Sequence, residues 1–293
     1  MELIIQNISK TYGNGVQALR DVSLNIPTGM FGLVGPNGSG KTTLIRSIAT
    51  LQEVDGGSIR FNGTDVLTQK EEVRKVLGYL PQDFGVYPGV SAERLLTHFA
   101  VLKGITHHRE RTASVEALLK RTNLWHDRKR KLGTFSGGMR QRFGVAQALL
   151  GSPKLIIVDE PTAGLDPEER ERFLNLLSEI GENVVVILST HIVEDVSELC
   201  TSMAIIDHGV VRYAGSPRDA IAGIRGRTWE RVVERTELPQ FEQRFTVLST
   251  RLAGGTTSVH ILSETRPDGT FTAVEPDLRD VYFNYLSHDG AGV

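Results

Sequence analysis

The chain has 293 residues, 40% of them hydrophobic and 23% charged, with a net charge of −2. This is the composition of a folded protein with room for one large α/β domain and something smaller, and it supplies no global basic field to attract nucleic acid or anionic lipid. Cys200 is the single cysteine, which excludes an intrachain disulfide and suits a reducing compartment; no run approaches the roughly 18 apolar residues of a spanning helix, and Met1–Lys10 lacks the basic start and cleavage site of a signal peptide.

From the N-terminus, Leu3–Ile5 and Val22–Ile26 read as short strands, with a turn at Tyr12–Gly15. Met30–Val34 is an apolar strand running straight into a glycine-rich turn, and Lys41–Leu51 then shows helical spacing, with Leu44, Ile45, Ile48 and Leu51 on one side. Turn signals at Asp55-Gly56-Gly57 and Asn62-Gly63 bracket a strand at Ser58–Phe61. From about Glu93 to Lys131 the pattern is helical and more charged.

Three runs rich in Ile and Val follow: Leu155–Val158, Val184–Leu188 and Met203–Ile206. None alternates, as expected of strands buried on both faces of a parallel sheet. Between the first two, Pro167–Ile180 reads as a helix, with Asp166 as N-cap, Glu169 completing a capping box and Gly181 ending it. Past about Gly215 the texture changes to short alternating strands, Thr246–Thr250 and Ser258–Leu262, and a final helix at Asp277–Leu286. The division is therefore a domain of residues 1–215, with a helical subdomain at about 90–150, and an accessory region of residues 216–293. No internal repeat is visible.

Chemistry concentrates in two places. Gly35-Pro36-Asn37-Gly38-Ser39-Gly40-Lys41-Thr42 matches the Walker A pattern G-x-x-x-x-G-K-[ST], between an apolar strand and an amphipathic helix. Its glycines let successive backbone N–H groups turn inward onto phosphate oxygens, and Lys41 adds a positive charge for the β and γ phosphates. Thr42, with Thr43 beside it, offers a hydroxyl to Mg²⁺, and the helix directs its positive end at the nucleotide. The strand Leu155–Val158 ends in Asp159 and Glu160. Two carboxylates there are costly unless a cation or a reaction uses them. Asp159 is expected to hold Mg²⁺ and Glu160 to polarise the attacking water.

Five further features make the chain resemble the ABC (ATP-binding cassette) ATPase superfamily, from Leu3 to about Gly215. Phe135-Ser136-Gly137-Gly138-Met139 is similar to the LSGGQ signature, with Phe135 for Leu and Met139 for Gln. Gln82, in Leu80-Pro81-Gln82-Asp83, resembles the Q-loop glutamine. Ala163-Gly164-Leu165-Asp166 resembles the D-loop, His191 the switch histidine, and Tyr12 the aromatic that stacks on adenine.

The resemblance implies a P-loop NTPase fold: an α/β RecA-like core with an antiparallel β subdomain and a helical subdomain, here followed by a small α+β extension. It also implies ATP and Mg²⁺ as ligands, Glu160, His191 and Gln82 as catalytic residues, and Thr42, Gln82 and Asp159 as metal ligands. A second ATPase subunit, in a homodimer, would cover the nucleotide with Ser136–Gly138, and Asp166 would lie near the crossing. Separate integral membrane permease subunits would place the chain on the cytoplasmic face of the cell membrane.

The ending Pro276-Asp277-Leu278-Arg279-Asp280-Val281-Tyr282-Phe283 is similar to the tail of ATPases serving ABC-2-type exporters. The rival class, a DNA-repair or translation-associated ABC ATPase, would bring a long coiled coil or a second cassette, and Thr43–Phe135 holds no sustained heptads. A regulator that scarcely hydrolyses would not need Glu160 and His191. Arg128–Lys131 reads as solvated surface and His107-His108 as surface histidines, so no nucleic-acid partner is expected. Phe84, Val86 and Tyr87 divide evenly between a docking patch and core packing.

Overall fold

The computed structural model describes residues 1–162, 165–234, 236–253 and 255–287. Three sheets organise it. The first is antiparallel, with β1 (Glu2–Thr11), β2 (Gln17–Pro27), β4 (Gly56–Phe61) and β5 (Thr64–Asp65) in the order β2-β1-β4-β5. β1 runs well beyond its expected end because its alternation is interrupted rather than finished. Leu3 and Ile5 face inward, the register then shifts, and Ile8 returns to the core. The shift is a bulge at Asn7, which takes φ 54° and donates its side-chain amide to Asp21 at 2.6 Å.

The second sheet has the order β10-β9-β3-β8-β7-β6. Its strands are β3 (Gly29–Val34), β6 (Leu77–Leu80), β7 (Leu155–Asp159), β8 (Val185–Thr190), β9 (Ser202–Asp207) and β10 (Val210–Gly215). All pair in parallel except β10, which returns antiparallel on β9. Both faces are covered, as the unalternated apolar runs require. Leu155, Ile157, Val185 and Ile187 point into a core shared with α1 (Lys41–Ile48), α2 (Lys70–Val76) and the first sheet. Ile156, Val158, Val186 and Leu188 point into a core shared with α6 (Pro167–Gly181) and α7 (Val193–Leu199).

α1 stops three residues short of its expected end. Thr50 sits at φ 63°, and Leu51 N–H reaches back to Arg46 O at 2.8 Å while Thr50 N–H bonds Ser47 O at 3.1 Å. This is a Schellman closure with threonine where glycine is usual. Arg74 holds it, donating to Thr50 Oγ1 at 2.8 Å and Thr50 O at 3.1 Å, and Leu51 is left exposed.

α3 (Ala92–Leu102), α4 (His108–Arg121) and α5 (Gly137–Ala148) form a helical unit around Leu96, Leu119, Leu132 and Phe143. Arg128 spends its charge within this unit, its guanidinium 4.0 Å from the centre of the Trp125 ring, while Lys129, Arg130 and Lys131 are exposed. His107 and His108 are exposed, as expected. Phe84 and Val86 pack on the helical core, whereas Tyr87 stands 64% exposed.

The last part holds α8 (Pro217–Ala222), β11 (Thr228–Val233), α9 (Leu238–Arg244), β12 (Thr246–Ala253), β13 (Thr256–Leu262), β14 (Thr272–Ala273) and α10 (Leu278–Ser287). Its sheet has the order β12-β13-β11-β14. One face packs Val259 and Ile261 against Phe241 and Phe271, and the other meets α10. The apolar side chains of α10, with Leu248, join the same core as α6 and α7, so the two regions share one interior.

Candidate functional site

The parallel strands β3, β7 and β8 end at a common edge: Val34 lies opposite Thr190, and Asp159 opposite Ser189. The residues that follow them, 35–42, Glu160 and His191, therefore leave the sheet together. Carboxyl ends of such strands are where open α/β sheets bind ligands.

The glycine-rich turn owes its shape to two left-handed residues, Gly38 at φ 81° and Gly40 at φ 106°. At Gly40 a Cβ would lie 2.5 Å from the Ala18 carbonyl oxygen, so only glycine fits. Lys41 is buried, and its Nζ donates to Gly35 O at 2.6 Å and Pro36 O at 3.0 Å. Burial lowers the Lys41 pKa, while Glu160 and Asp159 oppose that shift. Thr42 is exposed into the cleft. Thr43 is buried and lies 3.1 Å from Tyr12 Oη, so the aromatic ring is tethered at the start of α1.

Glu160 adopts φ 47°, and its N–H donates to Ser189 O at 2.8 Å. That left-handed kink carries the side chain away from Asp159. One carboxylate oxygen accepts from Gln82 Nε2 at 3.0 Å, and the other lies 3.3 Å from His191 Nδ1. Asp159 is 2% exposed, and its Oδ1 has no hydrogen-bond partner. Burial raises its pKa; the nearby Ser189 hydroxyl opposes this, Glu160 adds to it, and Lys41 lowers it. Ser39 Oγ is also buried without a partner. Buried polar atoms are rarely left so unless something else meets them.

A cleft of about 850 Å³ opens over the glycine-rich turn, lined by Tyr12, Arg20, residues 37–43, Gln82, Glu160 and His208, with Gly35, Pro36, Asp159 and His191 outside its lining. Ser136, Gly137 and Gly138 are outside that lining. Ser136 is instead the N-cap of α5, its Oγ accepting from Met139 N–H at 3.1 Å, and both Ser136 and Gly137 are exposed. Phe135 is buried in the helical core, and the partly buried Met139 packs against it. Asp166 is exposed and caps α6 through Glu169 N–H at 2.9 Å. The capping box is only half made, because Glu169 gives both carboxylate oxygens to Arg142 Nη1, at 2.9 and 3.1 Å. Gly138 allows this: a Cβ there would lie 2.7 Å from the Glu169 carboxylate. Of the expected D-loop, Ala163 and Gly164 lie outside the described residues.

Sequence reasoning missed three members of the neighbourhood. Arg20 and His208 carry no motif, and only the fold brings them to the cleft. Asp195 is 0% exposed on α7, accepting from Thr162 Oγ1 at 2.6 Å and Arg170 Nε at 2.7 Å. It thereby ties α7 to the segment two residues beyond Glu160. Its position four residues after His191 was the available signal.

A family model described as "ABC transporter" matches residues 19–163. The doxorubicin resistance ATP-binding protein DrrA of Mycobacterium tuberculosis is 35% identical over 222 residues, covering 75% of this chain and 67% of that protein. The linearmycin resistance ATP-binding protein LnrL of Bacillus subtilis is 34% identical over 225 residues, 76% of this chain and 72% of that one. Among solved structures, a dimeric ATP-binding cassette in a post-hydrolysis state with ADP and Pi superposes with a TM-score of 0.67 at 27% identity, covering 73% of this chain and 98% of that one.

Proposed function

The chain belongs to the ABC transporter family, as one of its ATP-binding, ATP-hydrolysing subunits, and from that premise we propose a division of labour among its residues. Tyr12 stacks on the base, and Gly35, Pro36, Asn37, Gly38, Ser39 and Gly40 wrap the phosphates. Lys41, now bonded to the carbonyls of Gly35 and Pro36, moves its charge onto the β and γ phosphates. Glu160 accepts a proton from the attacking water, whose oxygen bonds to the γ-phosphorus as the bridging bond breaks to release ADP and phosphate. Gln82 and His191 fix the Glu160 carboxylate from its two sides. The observation that carries this reading is that single carboxylate, held between them at the mouth of a phosphate-sized loop.

Asp159, Thr42 and Gln82 fit the Mg²⁺ that accompanies a triphosphate. The buried, unpartnered Asp159 Oδ1 supports this fit, since an ionised oxygen in that setting is stable only beside a cation. When bound, the ion would spread charge across the β and γ phosphates.

Such a subunit works with membrane permeases and pairs with a second ATPase subunit. A homodimer suits Ser136, whose oxygen already accepts from a backbone N–H. Its own hydrogen is therefore left to point outward, toward a γ-phosphate on the facing copy, with Gly137 and Gly138 alongside and Asp166 at the crossing. No helix among the described residues is long and apolar enough to cross a membrane, so attachment to the cytoplasmic face would come through the permease. Export is the direction favoured by the Pro276–Phe283 tail and by relatives named for drug resistance. We read residues 1–215 as the cassette, with the helical unit inside it, and 216–293 as the accessory part. ATP hydrolysis by the purified chain, together with recovery of a multi-span protein on affinity capture from solubilised membranes, tests the whole. Turnover without any permease partner on capture would overturn the transport assignment.

A further inference from the structure

Among the described residues of the accessory region is a buried carboxylate that the nucleotide site does not use. Asp280 on α10 is 0% exposed. Its carboxylate accepts from Ser249 Oγ of β12 at 2.6 Å and lies 3.0 and 3.1 Å from His260 Nδ1 of β13. Asp277 N–H adds a bond at 3.2 Å, at the entry to the helix. Burial alone would raise the Asp280 pKa, but the His260 and Ser249 hydrogen bonds and the His260 charge outweigh it and hold the carboxyl below its ordinary value. The knot therefore fixes α10 to the third sheet as a charged anchor.

From that anchor, Leu278, Val281 and Tyr282 of α10 enter the core that contains Val193 and Val196 of α7. α7 begins two residues after His191 and is held from its other side by Asp195. Packed side chains thus run from the helix that carries Asp280 to α7, and two residues of backbone lead from there to His191 beside Glu160.

We propose that Asp280 is a positioning residue for ATP hydrolysis, holding α10 against α7 and so fixing His191 at Glu160. The proposal rests on the reading that His191 and Glu160 act at the γ-phosphate. Displacing a catalytic group by a fraction of an ångström slows chemistry without weakening nucleotide binding.

The test compares kcat and KM for ATP in the full chain, with thermal unfolding, for wild type, His191→Ala, Asp280→Asn and the double variant. Asp280→Asn should lower kcat about tenfold with KM unchanged, and the double variant should be no slower than His191→Ala. A folded Asp280→Asn protein with wild-type kcat, or losses that multiply in the double variant, would overturn the proposal. If Asp280→Asn does not fold, Leu278→Val, which trims the α10–α7 contact and leaves the knot intact, takes its place with the same two outcomes. Wild-type turnover in His191→Ala would instead sink the underlying site reading.

Discussion

Gln82 Nε2 donates to Glu160 Oε2 at 3.0 Å, joining two residues 78 positions apart. With His191 on the other oxygen at 3.3 Å, both oxygens of the carboxylate proposed as the water-activating base are held in place. Glu160→Gln keeps the shape and the amide can still bond Gln82, but it cannot take a proton. Turnover should fall at least about a hundredfold, the range of general-base catalysis, while ATP binds as before and the closed dimer persists. Unaltered hydrolysis in this variant contradicts the assignment of Glu160.

Lys41→Ala separates binding from chemistry. Removing a charge-assisted donor from the phosphates should weaken ATP affinity about ten- to hundredfold, measured by equilibrium titration of nucleotide on the purified chain. Equal affinity would mean that the triphosphate is gripped elsewhere.

Asp159 gives a prediction in pH. Burial raises its pKa above the ordinary 3.8, so the folded state holds the proton more tightly than the unfolded chain does. The group favours folding below 3.8, and that contribution is lost as pH climbs through the raised folded value. The same burial therefore works against the nucleotide-free fold as pH rises toward neutral. Asp159→Asn should therefore raise Tm at pH 7, by about 2–4 °C for each kcal/mol relieved, with Glu160 still balancing Lys41. The gain should shrink toward pH 4, and added Mg²⁺ should no longer improve ATP binding. A lower Tm at pH 7 would refute this account.

Ser136→Arg addresses the pairing of subunits. Ser136 is exposed and outside the cleft of its own chain, so the substitution should leave ATP affinity of the monomer unchanged. Sedimentation of a Glu160→Gln background with ATP should show dimer with Ser136 and monomer with arginine. A dimer in both would place the lid elsewhere.

The parallel strands and the glycine-rich turn were legible because each is encoded in a few contiguous residues: unalternated Ile and Val, then G-x-x-x-x-G-K-T. Local geometry that breaks a period was not. Asn7 interrupts β1 without ending it, and Thr50 ends α1 while the apolar spacing continues to Leu51. α2 and β6 are too short and mixed to stand out, although β6 delivers Gln82. The segment Ser258–Leu262 alternates in sequence, yet residues 257–261 are all buried, because packing covers both faces of its sheet. His260 is polar and inside for that reason. Asp195 is one of three acids on α7, and only the fold decides which of them is enclosed by Thr162 and Arg170.

The position of β6 in the second sheet has its own consequence. It lies at the margin and is bonded only to β7, whereas β3, β8 and β7 are each clamped on both sides. The beds under residues 35–42, Glu160 and His191 are therefore stiff, while the segment bearing Gln82 leaves from a hinge with a single row of bonds. Strain on that strand therefore falls first on the Gln82–Glu160 contact, the one link to the carboxylate that does not rest on a strand paired along both edges.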